Sequence, residues 1–240
     1  MSAPQTQDKP VKITKGERTR RRVKEGVRNL LAVRDFDTIS IEDVVEETEI
    51  TVGSIYFHFK SKDGLMTAIA EEDIEQFFAY FDNIGDEDLF SSAFLLAWRS
   101  VQQYINRRGH TQLLQWYFNI NPDSVSASWL PRQSKLVKGF AKLIAANNGR
   151  EAPDEDDIIL AELLFNGMDG LLISQSRLMT SDKLIRGEKP LDLAIRLARS
   201  WYRAAGGPDA GKLTPEQRRS VKRIVNSTEM LQRPVRLPPV

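Results

Sequence analysis

Residues 50–64 read ITVGSIYFHFKSKDG and combine hydroxyl groups, aromatic rings and lysines in one short stretch. The stretch is too aromatic for an ordinary surface loop and too polar for a core strand. Serine and threonine hydroxyls bond to base edges or phosphates, an exposed aromatic ring can contact a thymine methyl group, and lysine neutralises phosphate. These residue types suit a nucleic-acid-binding surface, provided that one helix presents them together.

The rest of the chain offers few groups for catalysis. There is no cysteine, and His58 and His110 are the only histidines. Disulfides, thiolate metal sites and a cysteine nucleophile are therefore excluded, and a histidine-based metal cluster is not expected. The carboxylates are scattered, and no glycine-rich loop is arranged to hold a phosphate. We expect no metal site, no cofactor and no enzymatic activity.

Composition predicts a soluble globular protein. The 240 residues, 41% apolar and 28% charged, are enough for a sizeable core, in one large domain or in a small domain joined to a larger one. No apolar run reaches the roughly 18 residues needed to cross a bilayer, and the start MSAPQTQDKP lacks the apolar stretch of a secretion signal. We therefore expect a cytoplasmic location and no membrane partner.

The positive charge is concentrated near the amino terminus. Ten lysines and arginines lie between Lys9 and Arg34 against two acids, Glu17 and Glu25, although the net charge of the whole chain is only +1. Such a segment could bind a polyanion. A charge run by itself is more often a solvated helix face, so the neighbouring elements must decide between these interpretations.

Helical periodicity predicts an all-α fold that starts with a helix-turn-helix arrangement. The first helix is predicted at about residues 15–34. A short second helix begins after Ser40, a hydroxyl N-cap followed by Asp43, and ends near Thr48. A third helix covers about residues 51–58, and Ser61 can cap a long fourth helix.

The third helix should present the reading surface. Ile55 and Phe59 are four residues apart and are expected to face the core, which leaves the other side chains pointing outward. In a helix-turn-helix the second helix of the motif enters the major groove. The predicted DNA-binding residues are Arg18, Ser40, Thr51, Val52, Gly53, Ser54, Tyr56, Phe57, His58 and Lys62. The alternative for Tyr56 and Phe57 is that these rings only pack in the core.

From about Arg18 to Ile69 the sequence resembles the amino-terminal DNA-binding domain of the TetR family of bacterial transcriptional regulators. The residues that match the family pattern in register are Gly53, Ile55, Tyr56, Phe59, Lys62 and Leu65. The resemblance implies a dimeric repressor that leaves its operator when a small molecule binds the variable carboxy-terminal domain. Two residues depart from the pattern: Val52 replaces a common polar residue, and Gly64 replaces the acid that often follows the SK pair.

The remaining helices are predicted at about residues 86–107, 111–118, 134–146, 154–179, 191–205 and 214–230. The helix at 154–179 begins with four acids and is then apolar on nearly every side, so more than one neighbour must cover it. The resemblance implies that this helix and the next pair with their symmetry mates in a four-helix bundle. The predicted dimer-interface residues are Leu164, Gly167, Gly170, Leu171, Ile195, Ala198, Trp201 and Tyr202. A monomer with a central buried helix is the alternative.

The middle helices are rich in aromatic residues, which could line an apolar pocket with a few polar groups. The predicted residues for binding an unidentified small-molecule effector are Trp98, Gln115, Trp116, Phe118, Phe140, Phe165, Asn166 and Asp169. An ordinary aromatic core is the alternative.

Four segments follow from these predictions. They are a disordered arm at residues 1–12, a DNA-binding domain at 13–62, a helical ligand-binding and dimerisation domain at 63–208, and an extension at 209–240 with a basic amphipathic helix. The expected function is sequence-specific regulation of transcription by a homodimer on inverted-repeat double-stranded DNA. A repressor is the first expectation. An activator of the same fold, or a regulator acting through a protein partner, is the alternative.

Overall fold

The computed structural model describes residues 14–82, 87–104, 108–178, 189–208 and 211–229. Within these ranges every regular element is helical, which confirms the all-α prediction. The predicted arm at residues 1–12 and the last residues of the chain lie outside the described part.

Four helices form the amino-terminal part of the fold. They are α1 (Lys15–Val33), α2 (Ile41–Thr48), α3 (Val52–Phe59) and α4 (Lys62–Ala79). Each begins after a hydroxyl residue whose side chain accepts a hydrogen bond from a first-turn amide: Thr14, Ser40, Thr51 and Ser61. The predicted starts of these four helices, and the predicted ends of α1, α2 and α3, are confirmed to within one residue, because the caps are local signals.

The helix-turn-helix is held together by a small apolar core. Val23 and Val27 of α1, Ile55 and Phe59 of α3, and Leu65 of α4 are all buried. The predicted inward orientation of Ile55 and Phe59 is thereby confirmed. Since α3 has only eight residues, its stability comes from this tertiary burial and not from the helix itself.

The larger carboxy-terminal part contains α5 (Leu89–Tyr104), α6 (Arg108–Ile120), α7 (Pro122–Ser124), α8 (Leu130–Asn147), α9 (Glu155–Leu178), α10 (Pro190–Ala204) and α11 (Pro215–Glu229). Helix α10 packs along α5, and α8 packs on α9. The predicted carboxy-terminal helix is present as α11. It buries Val221 and Ile224 against α5, and the buried Thr228 hydroxyl accepts a 2.9 Å hydrogen bond from the indole of Trp98.

The predicted boundaries of α6 and α8 are wrong. The helices predicted at 111–118 and 134–146 left residues 119–133 outside any helix. Instead the helical path is interrupted only at Asn121 and then continues through a π-helical turn, Val125–Trp129, into α8. Pro131 explains the wide turn, because a proline ring collides with the carbonyl four residues earlier in a regular helix. Helix α6 also begins at Arg108, three residues before the predicted Thr111.

The start of α6 lies directly on the end of α1. A Cβ atom added to Gly109 would lie 2.2 Å from the carbonyl oxygen of Arg34, so only glycine permits this contact between backbones. Next to it, Gln112 accepts a 2.7 Å hydrogen bond from the amide of Phe36, and the Phe36 ring packs on Trp116 with centroids 5.3 Å apart. The first and second parts of the fold are therefore in close contact.

A buried polar network reinforces this junction. Asp73 of α4 accepts hydrogen bonds of 2.7 and 3.0 Å from Arg28 of α1, and lies 2.6 Å from Nε2 of His110 on α6. Burial alone would raise the pKa of Asp73, but the hydrogen bond with His110 and the charge of Arg28 outweigh it and lower that pKa. The ionised carboxylate thus connects three helices.

No helix in the described ranges has the length and apolar character required to span a bilayer.

Candidate DNA-binding surface

Helix α3 presents an unusually apolar outer face to solvent. Its inner face is occupied by Ile55 and Phe59, whereas Val52, Tyr56 and Phe57 are 39%, 40% and 73% exposed. These exposed side chains do not serve as core packing, which removes the alternative considered for Tyr56 and Phe57. A Cβ atom on Gly53 would meet no atom within 4 Å, so the backbone there is open to a close approach from outside.

Polar groups surround this apolar face. Thr51 caps α3 by accepting a 3.3 Å hydrogen bond from the Ser54 amide, and both residues lie at the end of the helix that would enter a groove first. The remaining amides of this first turn carry the positive end of the helix dipole, which favours a nearby phosphate. The arrangement can therefore contact base edges and the DNA backbone at once.

The turn from α3 to α4 is tight. The Ser61 amide donates a 2.9 Å hydrogen bond to the carbonyl of Phe59, two residues earlier, and a Cβ atom on Gly64 would lie 2.2 Å from the same oxygen. Gly64 also donates its amide to the Ser61 hydroxyl at 2.9 Å. Gly64 departs from the family pattern, but the N-cap of α4 is intact, because the Ser61 hydroxyl and not an acid forms it. Lys62, half-exposed, follows at the first position of α4.

The amino-terminal half of α1 lies beside the last turn of α3. A Cβ atom on Gly16 would be 3.5 Å from the His58 ring, and Arg20 donates a 3.5 Å hydrogen bond to the His58 carbonyl. The Arg20 guanidinium also lies 5.2 Å from the centroid of the Phe59 ring. Exposed Arg18 is on the same half of α1. The basic start of α1 and the outer face of α3 are therefore parts of one surface.

The basic segment is divided by the fold. Its carboxy-terminal members are paired within the protein: Lys24 with Glu72, Arg28 with Glu72 and Asp73, and Arg34 with Asp43. The exposed residues before them remain near α3, some in surface pairs such as Arg22 with Glu49. Such surface pairs contribute little stability and exchange readily for other partners. The local positive charge is consequently less available than the sequence alone indicates.

Ser40 is occupied by its role as a cap. Its hydroxyl donates to the Asp43 carboxylate at 2.7 Å and accepts from the Asp43 amide at 3.1 Å. The hydrogen bond from Arg34, together with those from Ser40, holds the pKa of Asp43 well below its usual range. The Ser40 amide also donates to the Asp43 carboxylate, at 2.6 Å, so contact of Ser40 with DNA remains a prediction that would need a rearranged cap.

The predicted effector residues fall into several separate places. Phe118 and Phe165 both pack on Trp129, with ring centroids 5.0 and 6.3 Å away. Asn166 accepts a hydrogen bond from Gln133, which in turn accepts one from the indole of Trp129. Trp129 is one of the aromatic residues of the middle helices that could line a pocket, although it is not in the set of predicted effector residues.

The other effector candidates have different neighbours. Trp98 bonds to α11, Trp116 packs on Phe36, and Phe140 packs on Trp201. Gln115 is half-buried, and the side chain of Asp169 lies outside the described residues. A cleft of about 180 Å³ opens between the end of α4 and the start of α8, and none of the predicted residues is among its described lining. The effector site stays a prediction.

The predicted dimer residues also separate into two groups. Leu164 and Ala198 are buried inside their own chain, and the half-buried Trp201 and Tyr202 pack on Phe140 and Phe90 of the same chain. Ile195 is half-buried, Gly167 and Gly170 are exposed, and the side chain of Leu171 lies outside the described residues.

The exposed apolar face of α9 was missed by the sequence analysis. Ile159 and Leu163, four residues apart, are 49% and 64% exposed, and the open Gly167 continues the same face. Because α9 is apolar on nearly every side, its periodicity could not tell which leucine faces outward.

Comparison with known proteins agrees with this architecture. Residues 25–69 match the family described as bacterial regulatory proteins, tetR family. Over 186 residues the chain is 25% identical to the HTH-type transcriptional repressor Rv1474c of Mycobacterium tuberculosis, an alignment that covers 74% of this chain and 88% of that protein.

Two solved structures share the fold over most of their length. GusR of Salmonella enterica superposes with a TM-score of 0.54 at 19% identity and covers 81% of this chain and 98% of its own. A transcriptional regulator from Rhodococcus sp. Rha1 gives a TM-score of 0.55 at 13% identity and covers 78% and 97%. At these identities the likeness concerns the fold alone.

The helix-turn-helix with its exposed reading face defines a DNA-binding regulator. The amino-terminal domain is that of the TetR family of bacterial transcriptional regulators, and the resemblance inferred from the sequence is confirmed for this domain.

Proposed function

We propose that this regulator is a homodimeric repressor that binds an inverted-repeat operator and leaves it when a small, largely apolar molecule enters the carboxy-terminal part. The observation that carries the proposal is the outer face of α3, where the 73% exposed ring of Phe57 and the open Gly53 stand beside hydroxyl groups and the basic start of α1. Exposed apolar surface is a mark of a binding site, so such a face on a short, well-capped helix indicates a binding partner.

Dimerisation is supported by the exposed apolar face of α9. Ile159 and Leu163 are solvent-exposed in one chain, and Gly167 leaves room for another helix to approach closely. A two-fold axis through such a face uses the same residues from both protomers. Two reading heads related by this axis would match half-sites in successive major grooves.

Effector control is supported by the helices that meet at Trp129. The ring of Trp129 packs on Phe78 of α4 at 4.8 Å, on Phe118 of α6 and on Phe165 of α9. Helices α4 and α6 also contact α1, through Asp73 and Gly109, and the Asp73–His110 pair joins them to each other. A ligand that separates these rings would therefore shift the support of the reading head.

Selection from a randomised duplex pool, followed by fluorescence anisotropy on the selected and random duplexes, tests the DNA-binding part. Affinity for both duplexes should fall steeply with salt, because cations on α1 and Lys62 displace counterions from phosphates. Tyr56→Ala should weaken both complexes alike, whereas Phe57→Ala should mainly change which sequence is preferred. A flat salt dependence, or full affinity in a folded Tyr56→Ala variant, would remove this surface from the interface.

The direction of regulation is tested by transcription in vitro from a promoter that carries the selected site. The proposal expects less transcript when the protein is added. A rise in transcript would instead identify an activator.

A further inference from the structure

The residue that connects α3 to α4 has an unfavourable backbone conformation. Lys60 has φ +70° and ψ −42°, and the Ser61 amide bonds to the Phe59 carbonyl across it at 2.9 Å. This is a γ-turn of the rare type with positive φ at its centre. Side chains other than glycine are strained there, so glycine would be the favoured residue for the backbone alone.

The Lys60 side chain folds back over the end of α3. Its Nζ donates a 3.1 Å hydrogen bond to the carbonyl of Phe57 and lies 5.6 Å from the centroid of the Phe57 ring. A cation at this position satisfies a terminal carbonyl and suits the negative end of the helix dipole. It also stands next to the most exposed aromatic ring of the reading face.

We propose that Lys60 is a DNA-contacting residue, which the strained turn places so that its ammonium group neutralises a phosphate beside the base contact of Phe57. The inference rests on the proposed DNA-binding function and adds a phosphate contact to it. Since Nζ has three protons, it can keep the Phe57 carbonyl and still bind an anion. A flexible ammonium within reach of a groove-facing helix is suited to a phosphate and not to reading base identity.

Three substitutions test the placement of this charge. Lys60→Met keeps the arm and removes the charge, Lys60→Arg keeps a charge, and Lys138→Met removes an exposed lysine from the distant helix α8 as a matched control. The measurement is the slope of log affinity against log salt for the selected duplex and for a random duplex. Lys60→Met should reduce the magnitude of both slopes by about 1, while the other two variants should keep the wild-type slopes.

A fourth variant tests whether the lysine is present at a conformational cost. Lys60→Gly should raise the melting temperature by about 2–4 °C, the shift expected for relief of one strained residue in a chain of this size. It should show the same reduced salt slope as Lys60→Met. A lower melting temperature would mean that the lysine serves the turn itself, and would overturn the argument from strain.

The outcome for the wild-type protein separates this inference from the proposed function. If wild-type protein shows no salt-dependent DNA binding, the proposed function fails. If it does, and Lys60→Met keeps the wild-type slope on both duplexes, only the assignment of Lys60 is wrong.

Discussion

The backbone contact between α1 and α6 makes Gly109→Ala the most informative single substitution for the architecture. The added Cβ atom would lie 2.2 Å from the Arg34 carbonyl oxygen and 2.8 Å from that of Leu31. Neither neighbour is the end of a flexible side chain, so a rotamer change cannot relieve the collision. Helix α6 must move away from α1, or the end of α1 must fray.

The size of the effect follows from the geometry. To bring the shorter contact from 2.2 Å to the practical limit of 3.0 Å, the two backbones must separate by about 0.8 Å. Such overpacking typically costs about 1–3 kcal/mol. The same displacement stretches the 2.7 Å hydrogen bond from the Phe36 amide to Gln112, and loss of a partly buried hydrogen bond adds about 1 kcal/mol. We therefore expect Gly109→Ala to lower the free energy of unfolding by about 3 kcal/mol.

Urea unfolding followed by tryptophan fluorescence measures this difference, with the protein concentration held constant because the stability of a dimer depends on it. The midpoint should fall at an unchanged slope, and the melting temperature should fall by about 6–12 °C. Gly53→Ala is the matched control: it makes the same chemical change where no atom lies within 4 Å, and its stability should stay within about 0.5 kcal/mol of wild type. If Gly109→Ala is as stable as Gly53→Ala, the two domains do not meet backbone to backbone.

Three further predictions concern other parts of the chain. Leu163→Glu should place an unpaired charge in the proposed dimer interface at a cost of about 3–5 kcal/mol, which raises the dissociation constant at least ~100-fold in sedimentation. Leu130→Glu, on another exposed leucine in helix α8, should leave the dimer intact. Asp73 has a lowered pKa in the fold, so its stabilisation is present above its ordinary pKa of about 3.9 and disappears as the pH falls through the folded value. The stability difference between wild type and Asp73→Asn should accordingly shrink below about pH 4. Thr228→Val should cost about 1–3 kcal/mol in thermal unfolding, because it leaves the buried indole N–H of Trp98 without its acceptor.

Each of these has a contrary result. A Leu163→Glu protein that sediments as a dimer at the wild-type concentration dependence would move the interface away from α9. If the stability difference between wild type and Asp73→Asn is constant from pH 7 to pH 3, the charge of the Asp73 carboxylate does not stabilise the contact between α1, α4 and α6. Wild-type stability of Thr228→Val would show that α11 is only loosely attached to α5.

The helix-turn-helix was almost wholly predictable because its signals are local. Hydroxyl N-caps at Ser40, Thr51 and Ser61 fix where helices begin, and the four-residue spacing of Ile55 and Phe59 fixes which face of α3 is buried. Once that face is known, exposure of Tyr56 and Phe57 on the remaining surface follows from helical geometry. The sequence therefore determined the class of protein and the face that it presents.

Residues whose roles depend on distant partners were not predictable in this way. Gly109 has no local pattern that distinguishes it from other glycines, and its close contact arises only when α1 is brought against the start of α6. Pairing of Lys24, Arg28 and Arg34 with acids of α2 and α4 likewise removed part of a charge cluster that looked continuous along the chain.

Helix α9 shows both what the sequence determines and what only the tertiary structure decides. Its sequence determined that it is a long helix with apolar residues on nearly every side, and such a distribution gives only a weak periodic signal for which side faces the core. Only the packing of α8 and α5 against it decided that Leu164 faces the core and its neighbour Leu163 faces solvent. The same holds for the aromatic residues of the middle helices, whose number was evident from the sequence. Trp98, Trp116 and Phe140 have different neighbours because the tertiary fold placed different helices beside each of them.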